Sequence, residues 1–311
     1  MIESREDAAF ERLVQKAVPQ GKLVRRSALK GGVSAEVTAL EIVQPGGQIQ
    51  KLVVRRHGTA NLRQNPRVAA DEFRLLQVLR AADVPAPEPY YFDQSGEIFA
   101  TPCVVVEFIE GETEFSAERV PDLTRQLAVQ LALIHRVDHA QTDLSFMAPD
   151  EDAYSWALRE RPERIDVSLD EGQIRKALRA VWPLPRRNAP VLLHGDFWPG
   201  NILWRDGRIV AVIDWEDAAL GDPLTDLGKS RLEILWAYGR EAMAHFTRQY
   251  QDEMTHLDFT DLPYWDLCAA LRPVFQLAAW AADASAEVRM REGHRWFIGE
   301  AFARIGAGRG S

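Results

Sequence analysis

HGDFWPGNILW, residues 194–204, carries its polar groups at an odd spacing. Asp196 and Asn201 stand five residues apart, with Pro199 and Gly200 between them and apolar runs on either side. Pro and Gly break a helix. A strand has no use for an acid and an amide in its middle. The stretch therefore reads as an irregular loop that holds a carboxylate and a carboxamide together.

Read outward, LLHGDFWPGNILWRDGRIVAVIDWED becomes strand, loop, short strand, turn and strand, with Asp206-Gly207 as a hairpin turn. Asp214 ends the last strand, and one pairing of the two strands would bring it close to Asn201. A carboxylate with an amide oxygen suits Mg²⁺, a hard cation that fills its remaining sites with water and phosphate. Asp196 is left to accept a proton from an attacking hydroxyl. Base Asp, metal Asn and metal Asp in that order form the layout of phosphoryl transfer.

The rest of the chain is consistent with this layout. Its 311 residues suit two domains or one domain of two lobes. A hydrophobic share of 46% and a charged share of 27% are those of a soluble globular protein. Net charge −9 argues against nucleic acid as a partner. MIESREDAAF carries acids and no apolar run, so no signal peptide is expected. CAALRPVFQLAAWAA is broken by Arg272 and reads as a buried helix, not a membrane span. Cys103 and Cys268 lie far apart and read as buried thiols of a cytoplasmic protein.

Residues 3–18 have helical spacing. KLVRRSAL, SAEVTALEIV and IQKLVVRRH follow as β-like runs separated by KGG and QPGGQ, which predicts an antiparallel meander. Asn65-Pro66 reads as the start of a helix running to about Ala82, with Phe73, Leu76 and Leu79 as its apolar stripe. YYFDQSGEIF and TPCVVVEFI add two strands, and helices dominate beyond EGETE. The class is α+β.

HGDFWPGN, with IDW beginning twelve residues after its Asn, resembles the H-G-D-x-x-x-x-N signature of the aminoglycoside phosphotransferase and choline kinase-like family. IDWEDAALGDPLTDL is similar to the same family. The resemblance implies a two-lobed protein-kinase-like fold. Residues 1–108 would be the nucleotide-binding lobe, with a five-stranded antiparallel sheet and a helix. Residues 109–311 would be a mainly helical lobe with the catalytic loop and the acceptor site. It implies Asp196 as catalytic base, Asn201 and Asp214 as Mg²⁺ ligands, and ATP or GTP as phosphate donor. Gly31, Gly32 and Ser34 in LKGGVSAE would approach the phosphates. Arg55 stands where the family has Lys or Arg for the α- and β-phosphates, and Val53, on the same face, would line the adenine. Glu72 would pair with Arg55. In VVVEFIEGE the carbonyl of Glu107 and the amide of Ile109 would meet the adenine edge.

Neighbours compete for two of these roles. Arg56 adjoins Arg55, and one of the pair is expected only to be solvated. Asp71 adjoins Glu72. His194 and His135 read as structural, Asp222 as a helix cap, Asp226 as a brace beneath the loop, and Trp198 as either an acceptor contact or core. The implied activity is transfer of a γ-phosphate to a hydroxyl of an aminoglycoside-like or other small molecule, without nucleic-acid or membrane partners. The alternatives are a nucleotide-binding module without turnover, or a metabolic kinase of choline, homoserine or a sugar. A protein kinase is disfavoured, because there is no D-F-G and no A-P-E follows the catalytic loop; the one A-P-E, at residues 86–88, precedes it.

Overall fold

The computed structural model describes residues 2–29, 35–113, 119–138, 142–149, 158 and 162–308. The chain divides into two compact units. One is residues 1–111 with Ile209–Glu216, and the other is Glu112–Arg208 with residues 217–311.

The first unit begins with helix α1 (Ile2–Ala17), followed by strands β1 (Lys22–Ala28), β2 (Ala35–Val43) and β3 (Ile49–His57). Helices α2 (Thr59–Gln64) and α3 (Val68–Ala81) come next, then β4 (Pro89–Asp93) and β5 (Cys103–Glu107). The strands form one antiparallel sheet in the order β1-β2-β3-β5-β4. Alternation gives the sheet two chemically distinct faces. Leu40, Ile42, Leu52, Val54, Cys103 and Val105 pack with Ala9, Phe10, Leu13 and Val14 of α1. Each such large apolar side chain contributes about 1.5–3 kcal/mol when fully buried. The opposite face carries Val53 and Arg55, which pair across the ladder with Val106 and Val104. Helix α3 contacts β4 and β5.

Two details differ from the sequence reading. Asn65 Oδ1 accepts from the Arg67 amide at 2.8 Å, the bond of a residue at a helix start, and its Nδ2 donates to Asp71 at 2.9 Å. A turn lies between them, so the regular part of α3 starts only at Val68, and a separate short helix precedes it. The buried stripe of α3 is Leu75, Leu76 and Leu79 with Glu72, while Phe73 is half-buried against Phe92.

The second unit is mainly helical, with α4 (Val120–His135), α5 (Glu171–Arg179), α6 (Pro223–Tyr238), α7 (Arg240–Glu253), α8 (Leu262–Ala269), α9 (Leu277–Trp280) and α10 (Ala284–Gly308). Strands β6 (Val191–Leu193) and β9 (Ala219–Gly221) pair antiparallel, and β7 (Ile202–Arg205) lies between them in sequence, followed by β8 (Arg208–Val212), which from Ile209 belongs to the first unit. Helix α6 packs on α7 and α8, and α4 packs on α7. Asp206 and Gly207 both have positive φ, 51° and 74°, the signature of a type I′ turn. Asp222 caps α6 by accepting from the Leu224 amide at 2.9 Å, ahead of Pro223. Cys103 and Cys268 are buried free thiols, and burial pushes the Cys103 thiol up to about 12. Among the described residues, no helix is long and apolar enough to cross a membrane.

Candidate active site

In the first unit a buried cation is held by acids. Arg55 Nη1 lies 3.2 Å from Glu72 Oε1, and its Nη2 donates to Asp214 Oδ1 at 2.6 Å and Glu216 Oε2 at 3.1 Å. Asn61 Nδ2 also donates to Glu216, at 2.8 Å. His57 Nε2 lies 3.2 Å from the other Glu72 oxygen. Burial is the largest single effect on each member of the Arg55–Glu72 pair and opposes both charges, but the three acids around Arg55, and Arg55 with His57 around Glu72, together outweigh it. The Glu72 carboxyl is held below its usual range and the Arg55 guanidinium is raised. Asp71 instead faces Asn65 and Arg67, so Glu72 is the acid that reaches Arg55.

Arg56 is not simply solvated. It turns to the α1 face, pairs with Glu36 and with Glu6, and lies 5.0 Å from the Phe99 ring centre and 5.7 Å from that of Phe10. Its long stem covers apolar surface while its charge finds acids at the rim. Asp214 sits after β8 at φ +67°, a left-handed conformation that Asp tolerates. The buried Trp215 beside it donates its indole N–H to the Val212 carbonyl at 2.9 Å.

In the second unit an acidic loop is suspended from a buried carboxylate. Asp226, on the first turn of α6, accepts from the His194 amide at 2.7 Å and the Gly195 amide at 3.0 Å. His135 Nε2 lies 3.3 Å from the same carboxylate, and its Nδ1 meets the Tyr250 hydroxyl at 2.6 Å. Burial alone would raise the Asp226 carboxyl, but these partners with Lys229 bring it down to about 2. Lys229 Nζ donates to the Gly195 carbonyl at 2.9 Å, and Ser230 Oγ donates to the Phe197 carbonyl at 2.7 Å. Gly195 has φ +83°, and a Cβ there would collide with the Asp217 backbone. Glycine is therefore required at that position.

This brace presents Asp196 and Asn201 side by side. Asn201 Nδ2 donates to the Asp196 carbonyl at 3.0 Å and to Asp196 Oδ2 at 3.2 Å. With its NH₂ facing two acceptors, the amide oxygen of Asn201 is the atom left for a cation. Asp196 Oδ1 is paired with Arg272, whose Nη1 lies 3.5 Å from Glu233 Oε1. Burial, which outweighs Arg272, pushes the Glu233 carboxyl up to about 7, and Asp196 adds to the rise. Trp198 is 40% exposed.

Of the residues singled out by sequence, Arg55, Glu72 and Asp214 are brought together, and so are Asp196 and Asn201. Val53 is half-buried on the Arg55 face. Glu107 donates its amide to the Glu88 carbonyl at 2.8 Å, and Ile109 follows two residues past it, beyond the end of β5. Gly31, Gly32 and Ser34 lie outside the described residues. The sequence reading missed His57, Arg272 and the partnership of Glu216. One signal was available: Arg272 is a lone charge in an apolar run, and a buried charge needs a partner. Asn201 and Asp214 offer hard oxygen donors of the kind Mg²⁺ takes. Among the described residues no group of three or more His, Cys, Asp or Glu side chains could hold a metal alone.

A family model described as "Phosphotransferase enzyme family" matches residues 26–268. A protein of Ralstonia eutropha JMP134 assigned to the aminoglycoside phosphotransferases superposes at TM-score 0.68 and 18% identity, over 96% of this chain and 98% of that one. Amicoumacin kinase, solved with AMP-PNP and Ca²⁺, superposes at TM-score 0.67 and 15% identity, over 96% and 95%. Both likenesses are of fold, the α+β protein-kinase-like fold with its five-stranded antiparallel sheet and helical C-terminal part. Acyl-CoA dehydrogenase family member 10 of Mus musculus is 27% identical over 198 residues, 59% of this chain but only 18% of that protein. Its relative of Rattus norvegicus, family member 11, is 25% identical over 202 residues, 60% of this chain and 26% of that protein. The chain thus spans about a fifth to a quarter of these curated relatives. With the family model matched from the first strand to α8, the chain belongs to the phosphotransferase enzyme family.

Proposed function

We propose that the protein is a small-molecule kinase that moves the γ-phosphate of ATP or GTP to an acceptor hydroxyl. The observation that carries this reading is the suspended loop, which holds Asp196 and Asn201 on one rigid support. Asp196 orients the acceptor hydroxyl and takes its proton. Asn201 through its amide oxygen and Asp214 through its carboxylate would hold Mg²⁺. The ion, when bound, neutralises charge on the phosphates. Arg55 exchanges its Asp214 and Glu216 contacts for the α- and β-phosphates, while Glu72 keeps its guanidinium in place. Val53, the Glu107 carbonyl and the Ile109 amide serve the adenine, and Gly31, Gly32 and Ser34 the phosphates. Most of the rate comes from positioning and charge stabilisation.

The test is nucleotide consumption with Mg²⁺ across a panel of candidate acceptors. The panel holds hydroxylated antibiotics, choline, homoserine, sugars and hydroxyacyl thioesters, the last because the curated relatives are acyl-CoA dehydrogenase family members. Turnover by the wild type that Asp196→Ala loses supports the reading. Nucleotide binding with no acceptor-dependent turnover on any member would favour a binding module.

A further inference from the structure

The charged side chain paired with Asp196 in the second unit is a cation, and no step proposed above uses it. Arg272 lies in the irregular segment between α8 and α9. In that segment Phe275 is held at φ +61°, a conformation bulky residues avoid. Its amide donates to Asp166 Oδ2 at 3.4 Å, and the Arg164 guanidinium lies 5.5 Å from its ring centre. Backbone strain maintained by such contacts clusters at ligand sites. The segment presents Arg272 with its side chain one-quarter exposed, paired with Asp196, near Glu233 and 5.9 Å from the Trp280 ring centre. Trp280 is 43% exposed and Trp198 40%. Large aromatic surfaces beside a charged cluster suit a ligand with a flat or apolar body.

The decisive point is an exchange of partners. Asp196 Oδ2 is occupied by Asn201 and Oδ1 by Arg272. An acceptor hydroxyl that approaches Asp196 at Oδ1 meets Arg272 there and takes its place. A partly buried guanidinium that loses a carboxylate needs another anion, because an uncompensated charge is costly there. Glu233 is a poor substitute: its carboxyl is pushed up to about 7 and stands 3.5 Å away. A neutral or cationic acceptor brings no replacement, whereas an anionic one brings it with the hydroxyl. A carboxylate or phosphate also matches the planar fork of arginine.

We propose that Arg272 is the anion anchor of the acceptor site, and that the acceptor carries a carboxylate or phosphate on a flat or apolar body that also bears the phosphorylated hydroxyl. The proposal rests on Asp196 being the base, and its test needs no turnover. Protein labelled with nitrogen-15 arginine is titrated with four matched probes. These are para-hydroxymethylbenzoate, para-hydroxymethylphenyl phosphate, para-hydroxymethylbenzyl alcohol and para-hydroxymethylbenzylammonium. The Arg272 signal is identified by its loss in Arg272→Lys. The two anionic probes should shift it saturably, and the tighter of them names the anchored group. The neutral and cationic probes should bind far more weakly. Arg272→Gln should weaken the anionic probes roughly 10- to 100-fold, the worth of a charge-assisted hydrogen bond. Arg272→Lys should retain part of the affinity, and a cooperative melting curve certifies both variants as folded. Equal affinity for all four probes, no shift with either anion, or anion binding unchanged in Arg272→Gln would each overturn the proposal. Anion-specific shifts in a protein that turns over no acceptor would retire the kinase reading alone. Turnover of an uncharged acceptor that is indifferent to Arg272→Gln would retire the anion anchor alone.

Discussion

The two units hold their key charges by opposite means. In the first, the cation Arg55 is surrounded by three carboxylates, those of Glu72, Asp214 and Glu216. In the second, the loop that carries the anion Asp196 hangs from backbone amides donated to one buried acid, Asp226. The first arrangement consists of side chains, which the proposed function has change partners when phosphate arrives. The second consists of main chain locked in place by a helix. A group that must switch partners is held by ion pairs, and a group that must keep its position is held by the backbone.

The sharpest way to break this contrast is at Asp196, the base of the proposed function. Asp196→Ala should fold and bind nucleotide but lose turnover by about 10²–10⁴-fold from proton acceptance alone. Near-normal turnover on a true acceptor would remove Asp196 from its role.

The brace comes next. Asp226→Asn removes the charge on which His135 and two loop amides converge, and should cost about 3 kcal/mol in a denaturant titration. The Asp226 carboxyl lies near 2 in the fold and near 3.9 in the unfolded chain, so the unfolded state binds the proton more tightly. Its stabilisation of about 2.5 kcal/mol is present above pH 4 and is lost as pH falls toward 2. Melting curves in that window should converge for wild type and Asp226→Asn. Curves that stay parallel would show that Asp226 does not titrate as its surroundings dictate.

The switching cation is third. Arg55→Ala should lower kcat/KM for ATP by roughly 10- to 100-fold, equivalent to about 1.5–3 kcal/mol, and Arg55→Lys should retain part. Arg56→Ala should leave that ratio nearly unchanged and cost about 1 kcal/mol of stability through lost ring contacts and ion pairs. The opposite ranking in nucleotide kinetics would mean that Arg56, not Arg55, meets the phosphates.

The smallest effect belongs to Glu233. Its folded carboxyl lies near 7, above the unfolded value of about 4.3, so the folded state holds the proton more tightly between them. Stability should fall as pH rises through that window, by about 1–2 kcal/mol once solvent access to the side chain is allowed for. Glu233→Gln should flatten that slope, and an unchanged slope would place the titration elsewhere.

Much of this was legible because it is local. HGDFWPGN carries its carboxylate, amide and glycine within eight residues, and turn chemistry acts over that range. The Asp222 cap, the Asp206-Gly207 turn and the strand alternation that separates Arg55 from Arg56 are local in the same sense. What tertiary structure decided lies far apart in the chain. Arg55 meets Asp214 across 159 residues and Glu216 across 161, and Arg272 meets Asp196 across 76. Periodicity ranks the faces of one helix or strand but cannot say which distant acid will stand opposite a buried cation. Asn65 is local too: its side-chain oxygen accepts from the Arg67 amide just ahead of α3, and only its contact with Asp71 waits for the helix to form. Residue types determined the chemistry available to this protein, and packing between distant segments determined which charges face each other.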